Sequence, residues 1–298
     1  MNIFDISFWQ TFLPSMLMIS APIILTALGG LINEKSGIVN IGLEGLMGFG
    51  AFTAAAIHVT LEPQLSNGLS VSVALLGAAL IGMLFSLIHA FATISLKGNQ
   101  IISGTGLNFL SSGLTIFLAQ LIFNQERTNP FKSGMSGLTS YKIYPSAFIA
   151  LAVMVGVWYL LNKRVFGLRL RACGENPQAA SGAGVNVKRM QYIGVVAGGA
   201  LAGIGGATLV LTQTIQYTGS LINGTGFIAL AAIGFGRWTV GGVSLASILF
   251  GSAMTYALMS SSNSGVIPRE FFLALPYIVT VISLVLFDYW KIKRLGLS

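Results

Sequence analysis

Residues 69–96 read LSVSVALLGAALIGMLFSLIHAFATISL, a stretch without Asp, Glu, Lys or Arg. As a helix it would be about 42 Å long, more than the roughly 30 Å of a bilayer's hydrocarbon core. Apolar residues occur all round that helix, so it cannot be the half-buried wall of a soluble bundle. It reads as a membrane span. Working outward, similar uninterrupted runs occupy 12–32, 143–161, 192–211 and 271–287. Shorter, glycine-interrupted runs occupy 41–59, 101–123, 227–235 and 243–259. The fold expected is all-α: a polytopic transmembrane helical bundle of about eight to ten spans, some broken or re-entrant. Residues 1–298 form a single transmembrane domain in this reading.

Composition excludes a water-soluble fold. Hydrophobic residues make up 54% of the chain and charged residues 8%, with a mean hydropathy of +0.81, whereas a soluble domain carries roughly a quarter charged residues. The net charge of +8 reflects orientation, not an anionic ligand or nucleic acid. With nine spans and the N-terminus outside, twelve of the sixteen basic residues fall on the inner side. That is the bias that keeps positive loops in the cytoplasm. Six of them, Lys163, Arg164, Arg169, Arg171, Lys188 and Arg189, lie in the long connection 162–189, which is therefore expected to be cytoplasmic along with the C-terminus. The opening MNIFDISFWQ has no basic region ahead of its apolar stretch, so no cleavable signal is expected and the first span serves as its own insertion signal. A lone cysteine, Cys173, permits no intramolecular disulfide.

Catalytic chemistry finds no footing. The chain has no Gly-Lys pair and hence no phosphate-cradling loop, no HExxH, no paired cysteines and no GxSxG elbow. No catalytic residue, metal site or cofactor is expected. His58 and His89 stand alone at apolar positions and read as packed or interfacial residues. Transport is the function class that remains.

Three features are candidates for it. Glu44 is a carboxylate inside an apolar segment, where ionised groups are costly and usually functional. Asn40, one helical turn earlier, could donate a hydrogen bond to it; the alternative is that Glu44 only pins the polar hinge NEKSG at 33–37, which contains Glu34. The segment IISGTGLNFLSSG at 101–113, with Asn108 near its middle, is rich in Gly and Ser. It is expected to be broken or partly re-entrant, which hydrocarbon tolerates only beside protein or a watery cavity. Glu34, Asn40, Glu44 and Asn108 are thus the candidate pathway or hinge residues. Beyond them, Gly199 and Gly203, with Ala202 and Gly206 on a neighbouring line, have the spacing of close helix packing.

The connection 162–189 is longer than a mere link requires. Within it, Asn176 is placed to cap a short helix that starts at Pro177 and ends at Gly182 or Gly184. An exposed helix between two spans suits docking of a cytoplasmic partner or, equally, an interfacial helix held by anionic lipid.

Three blocks carry a family resemblance: GGLINEKSGIVNIGLEGLMGFGAF at 29–52, GLRLRACGENPQAASGAGVNV at 167–187 and GFIALAAIGFGRW at 226–238. Together they resemble the shorter permease of a bacterial nucleoside ABC importer of the purine nucleoside or guanosine type, in the family that includes simple-sugar and branched-chain amino-acid permeases. That resemblance implies an ATP-driven importer subunit in the cell membrane. It implies a second, related permease as heterodimer partner, a cytoplasmic ABC ATPase that hydrolyses the ATP, and an extracellular lipoprotein or periplasmic nucleoside-binding protein. It also implies that Gly174, Glu175, Asn176, Pro177, Ala179 and Ala180 form the ATPase-coupling element. The competing readings are a permease for a simple sugar such as ribose or galactose, an ion-coupled secondary transporter using Glu44, and a passive channel or scaffold.

Overall fold

The structure, a computed structural model, describes residues 6–135, 137 and 143–261. The expected span at 271–287 lies outside the described residues. Among them are ten α-helices: α1 Ile6–Lys35, α2 Leu43–Leu61, α3 Asn67–Ala90, α4 Gln100–Phe123, α5 Pro145–Lys163, α6 Val165–Glu175, α7 Pro177–Gly182, α8 Val187–Gln213, α9 Thr225–Phe235 and α10 Val240–Ser261. Helix α3 runs on through a π-helical turn, Phe91–Ser95. Seven helices are long and apolar enough to cross a membrane, and α9 is apolar but too short. Outside the helices, the described residues contain one isolated bridge, Arg127 to Thr218.

Helix α8 is the axis of the fold and packs on α1, α2 and α3. Lipid gives apolar side chains no reason to prefer each other over the bilayer, so membrane helices associate where their backbones can approach. The expected small-residue spacing does this on several sides of α8. A Cβ at Gly203 would overlap the Ala78 carbonyl of α3, and one at Gly206 would overlap the Met47 carbonyl of α2. A Cβ at Gly198 would lie 2.5 Å from the Gly29 carbonyl oxygen of α1. Packing, not solute contact, accounts for these positions.

The outer helices differ from the central ones. In their most apolar windows α1 and α8 are largely buried, whereas few residues of α3, α4 and α5 are. The outward face of α3 is a stripe of Leu76, Leu80, Leu84 and Ile88, as expected of a helix turned to lipid.

One expectation is corrected here. Segment 101–113 is not broken: α4 is continuous, capped by the Asn99 side chain, which accepts from Ile101 N at 2.9 Å and Ile102 N at 3.2 Å. Its hydroxyls do not interrupt the ladder. Thr105 and Ser112 donate to carbonyls one turn back, and Ser103 pairs with His89 Nδ1 at 2.9 Å. An unbroken helix satisfies its interior backbone groups internally, and this outweighs the weak helix propensity of Gly and Ser. Longer non-helical stretches among the described residues include 36–42 and 214–224. The connection 162–189 holds α6, the expected short helix α7 and the start of α8.

Candidate functional site

Glu44 lies in the first turn of α2, facing the first turn of α9. Its Oε1 accepts Gly224 N at 2.7 Å and its Oε2 accepts Gly226 N at 2.6 Å. The first N–H groups of a helix have no intrahelical partners and carry the positive end of its dipole. A carboxylate there satisfies both needs. Glycine is required on the α9 side: Gly224 has φ +86°, and a Cβ at Gly226 would lie 2.5 Å from Glu44 Cα.

The opposite end of α9 is held by the other acid of the same sequence block. Trp238 Nε1 donates to Glu34 Oε2 at the end of α1. Trp238 and its neighbour Arg237 both have φ +53°, left-handed backbone that turns the chain sharply after α9. The short helix α9 is thereby held between Glu44 at one end and Glu34 at the other.

Asn40 does not donate to Glu44, as the sequence spacing suggested it could. Its Oδ1 accepts Gly42 N at 2.9 Å, while its buried Nδ2 has no hydrogen-bond partner among the described residues. The helical spacing failed because 36–42 is not helix. Asn108 takes over the linking role, accepting Gly45 N at 2.8 Å and donating to the Ile41 carbonyl at 3.1 Å. Gln100 Oε1 accepts Val39 N at 2.8 Å, and His89 Nε2 lies 3.3 Å from the Val39 carbonyl oxygen. Helices α3 and α4 thus supply the partners that the unwound 36–42 backbone lacks. Glu34, Glu44 and Asn108 are each engaged in bonds within the chain.

The 174–180 element meets this assembly from the far side. Asn176 accepts Ala179 N at 3.0 Å and opens α7 at Pro177, as its sequence predicts. Gly174 abuts the end of α1: a Cβ there would lie 2.5 Å from the Lys35 carbonyl oxygen and 3.0 Å from Gly37 N. Glu175, Asn176, Pro177 and Ala179 are exposed, and Ala180 is buried. A continuous series of close packings and hydrogen bonds therefore runs from α7 through Gly174 and the α1 end to Glu34, Trp238, α9, Glu44 and α2. Gly224, Gly226 and Trp238 were not singled out in the sequence, although two of them lie within a quoted block; nothing in a linear pattern pairs a carboxylate with backbone N–H groups 180 residues away.

A second cluster closes the opposite end of the bundle. Glu62 accepts from Ser133 Oγ and N at 2.7 Å and from Lys132 N at 3.0 Å, and His58 pairs with Ser70 Oγ at 2.7 Å and with the Ser133 carbonyl. His58 is a packed residue, as expected. Partial burial pushes the Glu62 carboxyl up, but those donors and the nearby His58 outweigh it and hold the group below the usual carboxylate range. The segment 128–135 is then tied to the end of α8 and the chain beyond it through Phe131 N to Ile215 O, 2.8 Å, and Met135 N to Leu211 O, 2.8 Å.

The model of the branched-chain amino acid transport system / permease component family matches residues 12–284. The chain belongs to this permease family. It is a multi-pass membrane protein and the permease subunit of an ABC importer, not itself an ATPase. A permease of this kind works with ATPase and binding-protein partners. It is 40% identical over 287 residues to the guanosine ABC transporter permease protein NupQ of Bacillus subtilis, covering 91% of this chain and 90% of that one. It is 38% identical over 293 residues to the nucleoside ABC transporter permease protein NupC of Lactococcus lactis, covering 93% and 92%. Its fold is similar to PsaBC from Streptococcus pneumoniae, solved in complex with Fab, with a TM-score of 0.52 and 19% identity over 93% of each chain. These relatives set aside the ion-coupled and passive-channel readings.

Proposed function

We propose that this permease carries nucleosides, guanosine among them, into the cell, pairing with a second, related permease to form the pathway. The observation that carries the substrate is the 40% identity to a guanosine permease over nine-tenths of both chains. An extracellular lipoprotein or periplasmic binding protein delivers the nucleoside, and the C-terminus and 162–189 face the cytoplasm. In the ATPase cycle, Gly174, Glu175, Asn176, Pro177, Ala179 and Ala180 receive force from the ATP-binding domains.

The geometry supports a route for that force. Displacing α7 moves Gly174 against the α1 end, where a Cβ would already crowd the Lys35 carbonyl. The displacement reaches α9 through Glu34 and Trp238 and reaches α2 through Glu44. Packed elements of this kind shift as rigid bodies between discrete arrangements. Glu34, Asn40, Glu44 and Asn108 serve in this reading as the hinge that joins moving helices, not as solute ligands. The test is uptake of radiolabelled guanosine by cells carrying this permease with its second permease, ATPase and binding protein, competed by unlabelled guanosine, cytidine, ribose and galactose. Competition by nucleosides and not by the sugars is expected; competition by ribose or galactose alone would assign a sugar.

A further inference from the structure

Helix α4 presents an outward face unlike that of α3. Where α3 shows Leu76, Leu80, Leu84 and Ile88, α4 interleaves Gly106, Ser112, Gly113 and Gln120 with the outward Phe109, Leu110, Phe117 and Leu121. A Cβ at Gly106 or Gly113 would meet nothing within 4 Å among the described residues. A glutamine on a lipid-facing stripe is costly, whereas Ser112 meets its own need by donating to the Asn108 carbonyl at 2.8 Å; Gln120 and the bare glycines suit protein or water better than acyl chains.

The face leads into a cleft at the end of α4. The cleft has a volume of about 540 Å³ and is lined by Ile116, Glu126, Arg127, Thr218, Gly219 and Ser220. Its walls are fixed. The Arg127–Thr218 bridge joins one side to the other, Tyr217 N donates to Thr128 Oγ1 at 2.9 Å, and the buried Tyr217 hydroxyl donates to Thr115 Oγ1 of α4 at 2.8 Å. The 218–220 backbone is thus held beside α4, with Gly219 close enough to Ile116 that a Cβ would lie 3.0 Å from it. The cleft offers an anionic acceptor, a forked cationic donor and two hydroxyls against one aliphatic wall.

We propose that this cleft is the permease's first solute subsite, taking a small neutral heterocycle bearing hydroxyls, and that the Ser112–Gly113 face of α4 is the wall along which the solute leaves it. Resting on the nucleoside reading, it adds the place and the groups. Guanine carries N–H donors on one edge, which suit a carboxylate, and O6 and N7 acceptors on another, which suit an arginine fork. Ribose hydroxyls suit Thr218 and Ser220. The volume lies within the range of small-molecule sites. None of the residues singled out in the sequence lines this cleft.

The test uses single cysteines in the complete transporter, taking advantage of the burial of the chain's lone Cys173. Ser220→Cys, Ser112→Cys and Leu80→Cys are treated with a membrane-impermeant thiol reagent, with and without saturating guanosine, and guanosine uptake is measured in parallel. Labelling of Ser220→Cys and Ser112→Cys should be many-fold faster than that of Leu80→Cys, and guanosine should slow it several-fold. Ser220→Trp should abolish uptake while leaving co-purification with the ATPase intact. A Ser112→Cys that labels no faster than Leu80→Cys overturns the path. A Ser220→Cys whose labelling guanosine leaves unchanged, in a transporter that imports guanosine, overturns the subsite. Absence of guanosine uptake by the wild type would count against the nucleoside reading alone, and the contrast between Ser112→Cys and Leu80→Cys would still decide the path.

Discussion

The Glu44 carboxylate bridges to Gly226 N at 2.6 Å and so joins the beginning of α2 to the beginning of α9. Because Oε1 holds Gly224 N as well, one side chain satisfies two of the orphan N–H groups of a helix too short to be stable alone. Hydrogen bonds to a charged acceptor contribute about 1.5 to 3 kcal/mol each. Glu44→Gln keeps one acceptor oxygen and should lower thermal stability and uptake moderately; Glu44→Ala should lower both severely. Thermal unfolding in detergent with parallel guanosine uptake checks this. Unchanged uptake in Glu44→Ala would mean that α9 does not depend on its anchor.

The Asn176 cap separates assembly from insertion. Asn176→Ala removes the acceptor for Ala179 N, at a cost of about 1 kcal/mol, which a six-residue helix cannot absorb. Asn176→Asp keeps the cap. Membrane levels should be equal in the two variants, while co-purification with the ATPase falls only in Asn176→Ala. Replacing Glu175 or Asn176 with Lys should abolish co-purification, and normal assembly of both would refute the coupling role.

Gly206→Ala places a methyl on the Met47 carbonyl and should destabilise the protein by about 1 to 3 kcal/mol, the usual cost of overpacking. Gly156→Ala, with no atom of the described residues within 4 Å of its Cβ, should be neutral or slightly stabilising because alanine is the better helix former. Unfolding midpoints of the two variants measured side by side test the packing role of α8.

Glu62 predicts an acid-sensitive latch. Its carboxyl is held below the ordinary value of 4.5, so the folded state binds this proton less readily than the unfolded chain does. The stabilisation is therefore fully present above the unfolded value and is lost as pH falls through the lower folded value. Protonation weakens acceptance from Ser133 and Lys132, releasing the 128–135 segment. Glu62→Gln should flatten that part of the stability-versus-pH curve, measured as thermal midpoints across the acid range; an unchanged curve would remove Glu62 as its source.

The sequence alone determined the all-helical membrane class, the positions of the described spans, the Asn176-capped helix and the small-residue axis of α8. Each is written in local terms: the length of an apolar run, a residue's relation to the next turn, or a four-residue interval. The linear pattern could also nominate Glu34, Glu44 and Asn108, because a polar group in an apolar segment is visible without a partner. What only the tertiary structure decided is where those groups bond. Asn40 and Glu44 have helical spacing but lie on either side of the break between 36–42 and α2, so they do not meet. The glycine-rich α4 stays whole because a low-dielectric surround penalises any unpaired backbone group more than it penalises glycine. Glu34 and Glu44 became the two anchors of α9 because packing brought remote backbone and indole N–H groups to them. Backbone donors are the same in every residue, and no sequence pattern can show which of them a carboxylate will find.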